Sequence, residues 1–299
     1  MSDYSHDEMI EKIIECFESK TEDPDNPELI EKVFCEVLPE IGGEMKKYRR
    51  NAVLLKKKDT PAGGIPVGAS KMGGYPDLPP GVEYPTMTGY SVRQKRTDSI
   101  GETKPTVAMH LVLQLNCREL AESGADIDGL FPKTGMLYIF WSGEADDNHF
   151  NYYRKNSGVY ELKVDDTSKE NVNSIFWWDG DISQLKRTEP PIPYNDDAFE
   201  SECPEKMIGF DKGYEYDRLG VIDGFSDFAD DLDLEYTYKD DKLLGFPDGA
   251  NNPEIGDEYV QLMQLDYHEG CIWELYWIMR KDELLRLDFS NVSLECDCD

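Results

Sequence analysis

The chain has 299 residues, enough for one large domain or two smaller ones, and its 39% hydrophobic and 11% aromatic content excludes a disordered chain despite 31% charged residues. Its 62 acidic residues against 31 basic ones give a net charge of −31, which repels phosphate backbones and speaks against nucleic acid as a partner. Such a field speeds encounter with a basic protein partner instead.

The first residues, "MSDYSHDEMIEKIIECF", carry neither a basic start nor a long apolar run, and no stretch of about 18 apolar residues occurs anywhere. The expectation is a cytoplasmic chain with no membrane contact. Ser5 with Glu8 forms a capping box, and Met9, Ile10, Ile13, Ile14 and Phe17 follow at helical spacing, predicting a helix from about Ser5 to Ser19. Asn26 as cap, Pro27 in the first turn, and Leu29, Ile30, Val33, Phe34 and Val37 on one face predict a second helix that ends at Pro39 and the Gly42-Gly43 pair. The two form a hairpin.

From Lys46 to Lys58 the charge changes sign around the apolar "NAVLL", which reads as a strand with basic flanks. Beyond it, short apolar runs broken by Gly and Pro predict strands and turns. The segment 223 to 241, "DGFSDFADDLDLEYTYKDD", holds seven Asp and one Glu against a single Lys, with aromatic residues interleaved. Carboxylates with aromatic anchors are what interfaces use, so a basic protein partner is expected to dock on Asp223, Phe225, Asp227, Phe228, Asp230, Asp231, Asp233, Tyr236 and Tyr238.

A repeat runs through the chain. "KMGGYPD" at 71 to 77 recurs as "KLLGFPD" at 242 to 248; "LVLQLNCREL" (111 to 120) and "GMLYIFW" (135 to 141) follow the first copy, "VQLMQLDYHEG" (260 to 270) and "WELYWIM" (273 to 279) the second. Gln114 and Gln264 interrupt apolar neighbours at equivalent places, and a buried amide must be hydrogen-bonded, so bracing of strand ends is their expected role. The alternative is a small-molecule pocket between the two halves, with Lys71, Gln114, Lys242 and Gln264 as its polar groups.

These stretches, with "SKMGGYPDLPPGVEYP" (70 to 85), "LFPKTGMLYIFW" (130 to 141), "YVQLMQLDY" (259 to 267) and "LDFSNVSLECDCD" (287 to 299), resemble the bacterial YwqG-like family, which has no established activity. The resemblance covers roughly residues 50 to 299. It implies an α+β fold with an internal duplication, and a relation to cytosolic immunity proteins that bind and block toxins. The expected organisation is a helical segment, 1–45, on a mostly antiparallel β body, 46–299, whose degenerate halves span about 46–200 and 201–299.

Chemistry is sparse in the sequence. No HExxH, GxSxG or GxGxxG motif occurs, and in "GGIPVGASK" Ala69 stands where a phosphate-binding Lys is needed. Seven cysteines, an odd number, read as reduced thiols. Cys271, Cys296 and Cys298 do not make up the four ligands of a structural zinc site. No catalytic residue, metal or cofactor is assigned.

Overall fold

The computed structural model describes residues 5–20, 26–90, 103–142, 173–194, 199, 203–216, 219, 222, 224–232, 234, 237–248, 255–269 and 272–298. The expected capping box opens helix α1 (His6–Ser19): the Ser5 hydroxyl accepts from the Glu8 N–H, and the Glu8 carboxylate takes the Ser5 N–H at 2.7 Å. Asn26 caps α2 (Pro27–Val37) by accepting from the Glu28 N–H at 2.9 Å. A third helix, α3 (Pro39–Met45), continues where the sequence predicts an end. Pro39 sits at its first turn, where the missing N–H costs nothing, and Gly42 lets α3 lie against the Cys35 backbone, which a Cβ would strike.

Fourteen strands follow among the described residues. They are β1 (Arg49–Lys58), β2 (Lys71–Met72), β3 (Asp77–Leu78), β4 (Thr86–Tyr90), β5 (Thr103–Ala108), β6 (His110–Asn116), β7 (Met136–Trp141), β8 (Asn173–Trp178), β9 (Lys186–Arg187), β10 (Lys206–Tyr216), β11 (Lys242–Leu244), β12 (Tyr259–Glu269), β13 (Ile272–Arg280) and β14 (Ser293–Cys298). Helix α4 (Cys117–Ser123) follows β6, α5 (Phe225–Leu232) follows β10, and α6 (Lys281–Arg286) follows β13. The fold is α+β.

Ten strands form one antiparallel sheet in the order β14-β13-β12-β11-β1-β10-β2-β6-β7-β8. Outward from the central β1–β10 pair, one side runs β11, β12, β13, β14 and the other β2, β6, β7, β8. Because β1 pairs with both β10 and β11, the stretches before and after residue 200 share a single sheet.

The sheet is rolled. In it β7 and β12 lie six strand steps apart, about 29 Å if flat at roughly 4.8 Å per step, yet the Trp141 and Tyr267 rings meet edge-on at 5.3 Å. Curvature therefore brings the two ends of the sheet round one core, built from Val53, Leu113, Leu137, Leu243, Leu275, Leu294 and their neighbours. Alternate residues face outward: Met136, Tyr138 and Phe140 join a satellite cluster on one side, Tyr276 and Ile278 another on the other side. Strands covered on both faces read as continuous apolar runs, as "MLYIFW" does.

The helical layer packs at the Tyr216 end of β10, in the middle of the sheet. Ile13, Ile30, Val33 and Phe34 bury against Tyr216, Phe225 and Phe228, and the Glu31 carboxylate in α2 ties the layer down. It accepts two N–H bonds from Arg49 at 2.9 and 2.5 Å and one from the Tyr216 hydroxyl at 2.6 Å. The basic strand thus serves the protein's own carboxylates, Lys57 reaching Asp241 at 2.9 Å in the same way.

Candidate functional site: two buried clamps and an acidic sheet face

The repeated motif builds two similar clamps. In the first, Lys71 and Gln114 face each other in register across β2 and β6; in the second, Lys242 and Gln264 do so across β11 and β12. Each glutamine oxygen accepts the N–H of the Asp that ends its turn, Asp77 at 2.7 Å and Asp248 at 3.2 Å. Each glutamine amide donates to a backbone carbonyl, of Ala69 at 2.9 Å and of Lys239 at 3.2 Å. The amides brace the turns against the strands.

The turns need left-handed backbone at two successive residues, Gly73 and Gly74 in one copy and Leu244 and Gly245 in the other. Gly245 also makes room for Glu215, whose carboxylate lies where a Cβ would be. That carboxylate is fully buried and accepts from Lys242 Nζ, the Tyr238 N–H and the Phe246 N–H, each at 2.6 Å. Burial pushes Glu215 up, more than Lys242 and the two N–H groups pull it down.

In the first clamp Lys71 donates to the Tyr75 carbonyl and to Glu205 at 2.7 Å. Burial lowers its proton affinity, with Glu205 opposing. Asp77, fully buried, receives Arg187 at 2.5 Å and the Gln114 amide and Gly68 N–H at 2.9 Å each. Burial raises its carboxyl, but those three donors override it and hold Asp77 below the usual carboxylate range. Tyr138 completes the site by donating to the Asp77 carbonyl at 2.6 Å.

The four residues expected to line one pocket therefore do not converge. Lys71, Gln114, Lys242 and Gln264 are all fully buried and occupy two clamps, with β1 and β10 between β2 and β11, about 14 Å of sheet. Their polar atoms are turned on their own turns and carboxylates, which leaves none to face a shared ligand. An opening lies elsewhere, a cleft of about 380 Å³ at the seam of the rolled sheet, between β8 (Asn173 to Trp177) and the loop Leu287 to Val292.

The acidic segment is likewise reorganised. Phe225 and Phe228, three apart on α5, are buried in the helical core against Phe34, so they are core residues and not anchors for a partner. Tyr238 is half-buried, its hydroxyl donating to Asn26 at 3.2 Å. Asp227 and Asp231 remain exposed on α5, Asp231 pairing with His6 at 2.8 Å. Asp230 lies on the same helix; Asp223, Asp233 and Tyr236 fall outside the described residues.

A second acidic surface is the outer face of β12–β14. Asp266, Glu274 and Asp297 stand directly opposite one another across three neighbouring strands, where like charges destabilise a sheet. Asp248 from the second turn lies close enough to perturb Glu274. Burial first, then Asp248, Asp297 and Asp266, push the Glu274 carboxyl up to about 7, against a pull from Lys239. Beside it Tyr276 is fully buried, and among the described residues neither its hydroxyl nor Asp297 Oδ1 has a hydrogen-bond partner. Sequence reasoning missed this face; the alternation in "WELYWIM" and "LECDC" was the available signal, since Glu274, Tyr276, Glu295 and Asp297 occupy every second position.

A rolled antiparallel sheet with paired internal clamps and a layer of helices is thus the class of molecule in hand. The family described as a domain of unknown function, DUF1963, matches residues 70–298, and the chain belongs to that family. The match takes in both clamps and the acidic face, and begins just before β2. Among curated proteins, none matches the chain.

Removing the lysine of each clamp should have unequal effects. Lys242→Met strands a carboxylate with no exposure and is expected to cost about 3–5 kcal/mol; Lys71→Met should cost less, because Glu205, 36% exposed, regains water. Urea midpoints of the two variants measure the difference, and equal losses would contradict the assignment.

Glu274 gives a pH dependence. Its folded value, about 7, lies above an unfolded value of about 4.3, so its contribution is fully present below about pH 4 and lost as pH rises through 7. Glu274→Gln should flatten the fall in urea midpoint between pH 5 and 8. An unchanged fall in the variant would refute the assignment.

Proposed function

We propose that the chain is a cytosolic acidic binding protein that neutralises a basic protein partner, as an immunity protein blocks a toxin, in keeping with its resemblance to the bacterial YwqG-like group. The observation that carries this reading is the charge. If every one of the 31 basic side chains neutralised one of the 62 carboxylates, 31 would still remain, and no internal ion pairing can balance their charge. With Phe225 and Phe228 buried, electrostatics rather than aromatic anchoring supplies the attraction at α5, through Asp227 and Asp231.

A second reading, a small-ligand module, is favoured by the seam cleft. Its polar groups, Asn173, Ser174, Asp288 and Ser290, stand beside Phe176, Trp177 and Phe289, the mixture small-molecule sites use.

Capture from a native lysate on the immobilised full chain, at low and at high salt, tests the first reading, with retained proteins identified by mass spectrometry. A basic protein should be held at low salt and released as the screening length falls from about 30 Å at 0.01 M to about 10 Å at 0.1 M. Retention of no protein at low salt would overturn the reading.

A further inference from the structure

The two clamps differ in how their aspartates are answered. Arg187 on β9 inserts its guanidinium into the first, donating to Asp77 at 2.5 Å, to Glu205 at 3.2 Å and to the Ile65 carbonyl at 3.1 Å. In the second, Asp248 accepts from the Thr237 hydroxyl at 3.0 Å, and the charges that reach Glu274 beside it are the carboxylates Asp248, Asp297 and Asp266 and, more weakly, the Lys239 ammonium. The tyrosines differ too. Tyr138 and Tyr276 occupy matching register positions, opposite Gln114 and Gln264. Tyr138 donates to the Asp77 carbonyl, whereas the Tyr276 hydroxyl, fully buried and close to Glu274, Asp297 and Asp248, has no partner among the described residues.

We propose that the outer face of β12–β14 beside the second turn is a binding site for a guanidinium group, with Glu274, Asp297 and Asp248 as acceptors and Tyr276 as the orienting hydroxyl. The Tyr276 oxygen accepts one guanidinium N–H and Asp297 Oδ1 takes another. A planar fork of five donors suits acceptors spread over two strands and a turn. A metal ion suits them less, since among the described residues no three His, Cys, Asp or Glu side chains are grouped to hold one. Arg187 shows the same recognition inside the same molecule.

The proposal names how a basic partner would be gripped, and rests on the preceding reading only for the source of the guanidinium. Calorimetry of the full chain at low salt with N-acetyl-arginine methylamide tests the site itself, the citrulline analogue serving as the neutral isostere. Saturable one-to-one binding of the arginine probe and none of citrulline is expected. Tyr276→Phe, which keeps the buried ring, and Glu274→Gln should each weaken binding about tenfold, the scale of one hydrogen bond to a charged group, while Glu11→Gln, at an exposed position of α1, leaves it unchanged. Far-ultraviolet circular dichroism confirms that each variant is folded. Equal binding of the two probes, or folded Tyr276→Phe and Glu274→Gln chains that bind like the native one, would overturn the proposal. Agmatine and an arginine-containing basic peptide separate the sources: tighter binding of the peptide points to a protein side chain, equal binding to a small guanidine. Arginine binding without any partner captured from lysate would remove the basic-partner reading and leave this site standing.

Discussion

A buried glutamine amide holding the backbone of a Gly-aromatic-Pro-Asp turn is the interaction on which the rest of the sheet depends. Gln114 and Gln264 each take an aspartate N–H and return an N–H to the preceding loop. An amide buried this deeply would be costly if unpaired, so each turn is fixed where β2 or β11 enters the sheet. These two short strands link the central β1–β10 pair to the long outer strands. The curvature that brings Trp141 against Tyr267 is laid over those links.

Much of the fold was legible because local chemistry and tertiary packing agree. Ser5 with Glu8, and Asn26 with Pro27, are complete cap signals, and both helices begin where these residues predict. The repeated Gly-aromatic-Pro-Asp motif pointed to the clamps and to their glutamines. The second helix ends before Pro39, as predicted, but α3 stayed hidden, because Pro39 opens it and Gly42 serves close packing on Cys35. In α5 an acidic, aromatic-rich segment hid a helix whose phenylalanines, three apart, turn inward together. Alternation marks one side of β13 and one side of β14, but the acidic face stayed hidden because register alone brings β12, β13 and β14 together, and no sequence spacing encodes those pairings.

Similarity between the clamps makes their difference informative. The first is satisfied internally, by Arg187 on Asp77 and Tyr138 on the turn carbonyl. The second faces a row of carboxylates and a tyrosine hydroxyl with no partner among the described residues. A buried hydroxyl left unpaired and like charges set opposite one another both lower stability. A chain that carries both at one place bears a local cost that a cation bound there relieves, and the net charge of −31 draws cations toward it.

The most direct test of this account is a carbon-13 NMR titration of the Glu274 side-chain carboxyl, with and without a saturating guanidinium compound. The account predicts a midpoint near 7 in the free protein, displaced to lower pH when the guanidinium is present. A midpoint at the ordinary value of about 4.3, unmoved by guanidinium, would contradict it.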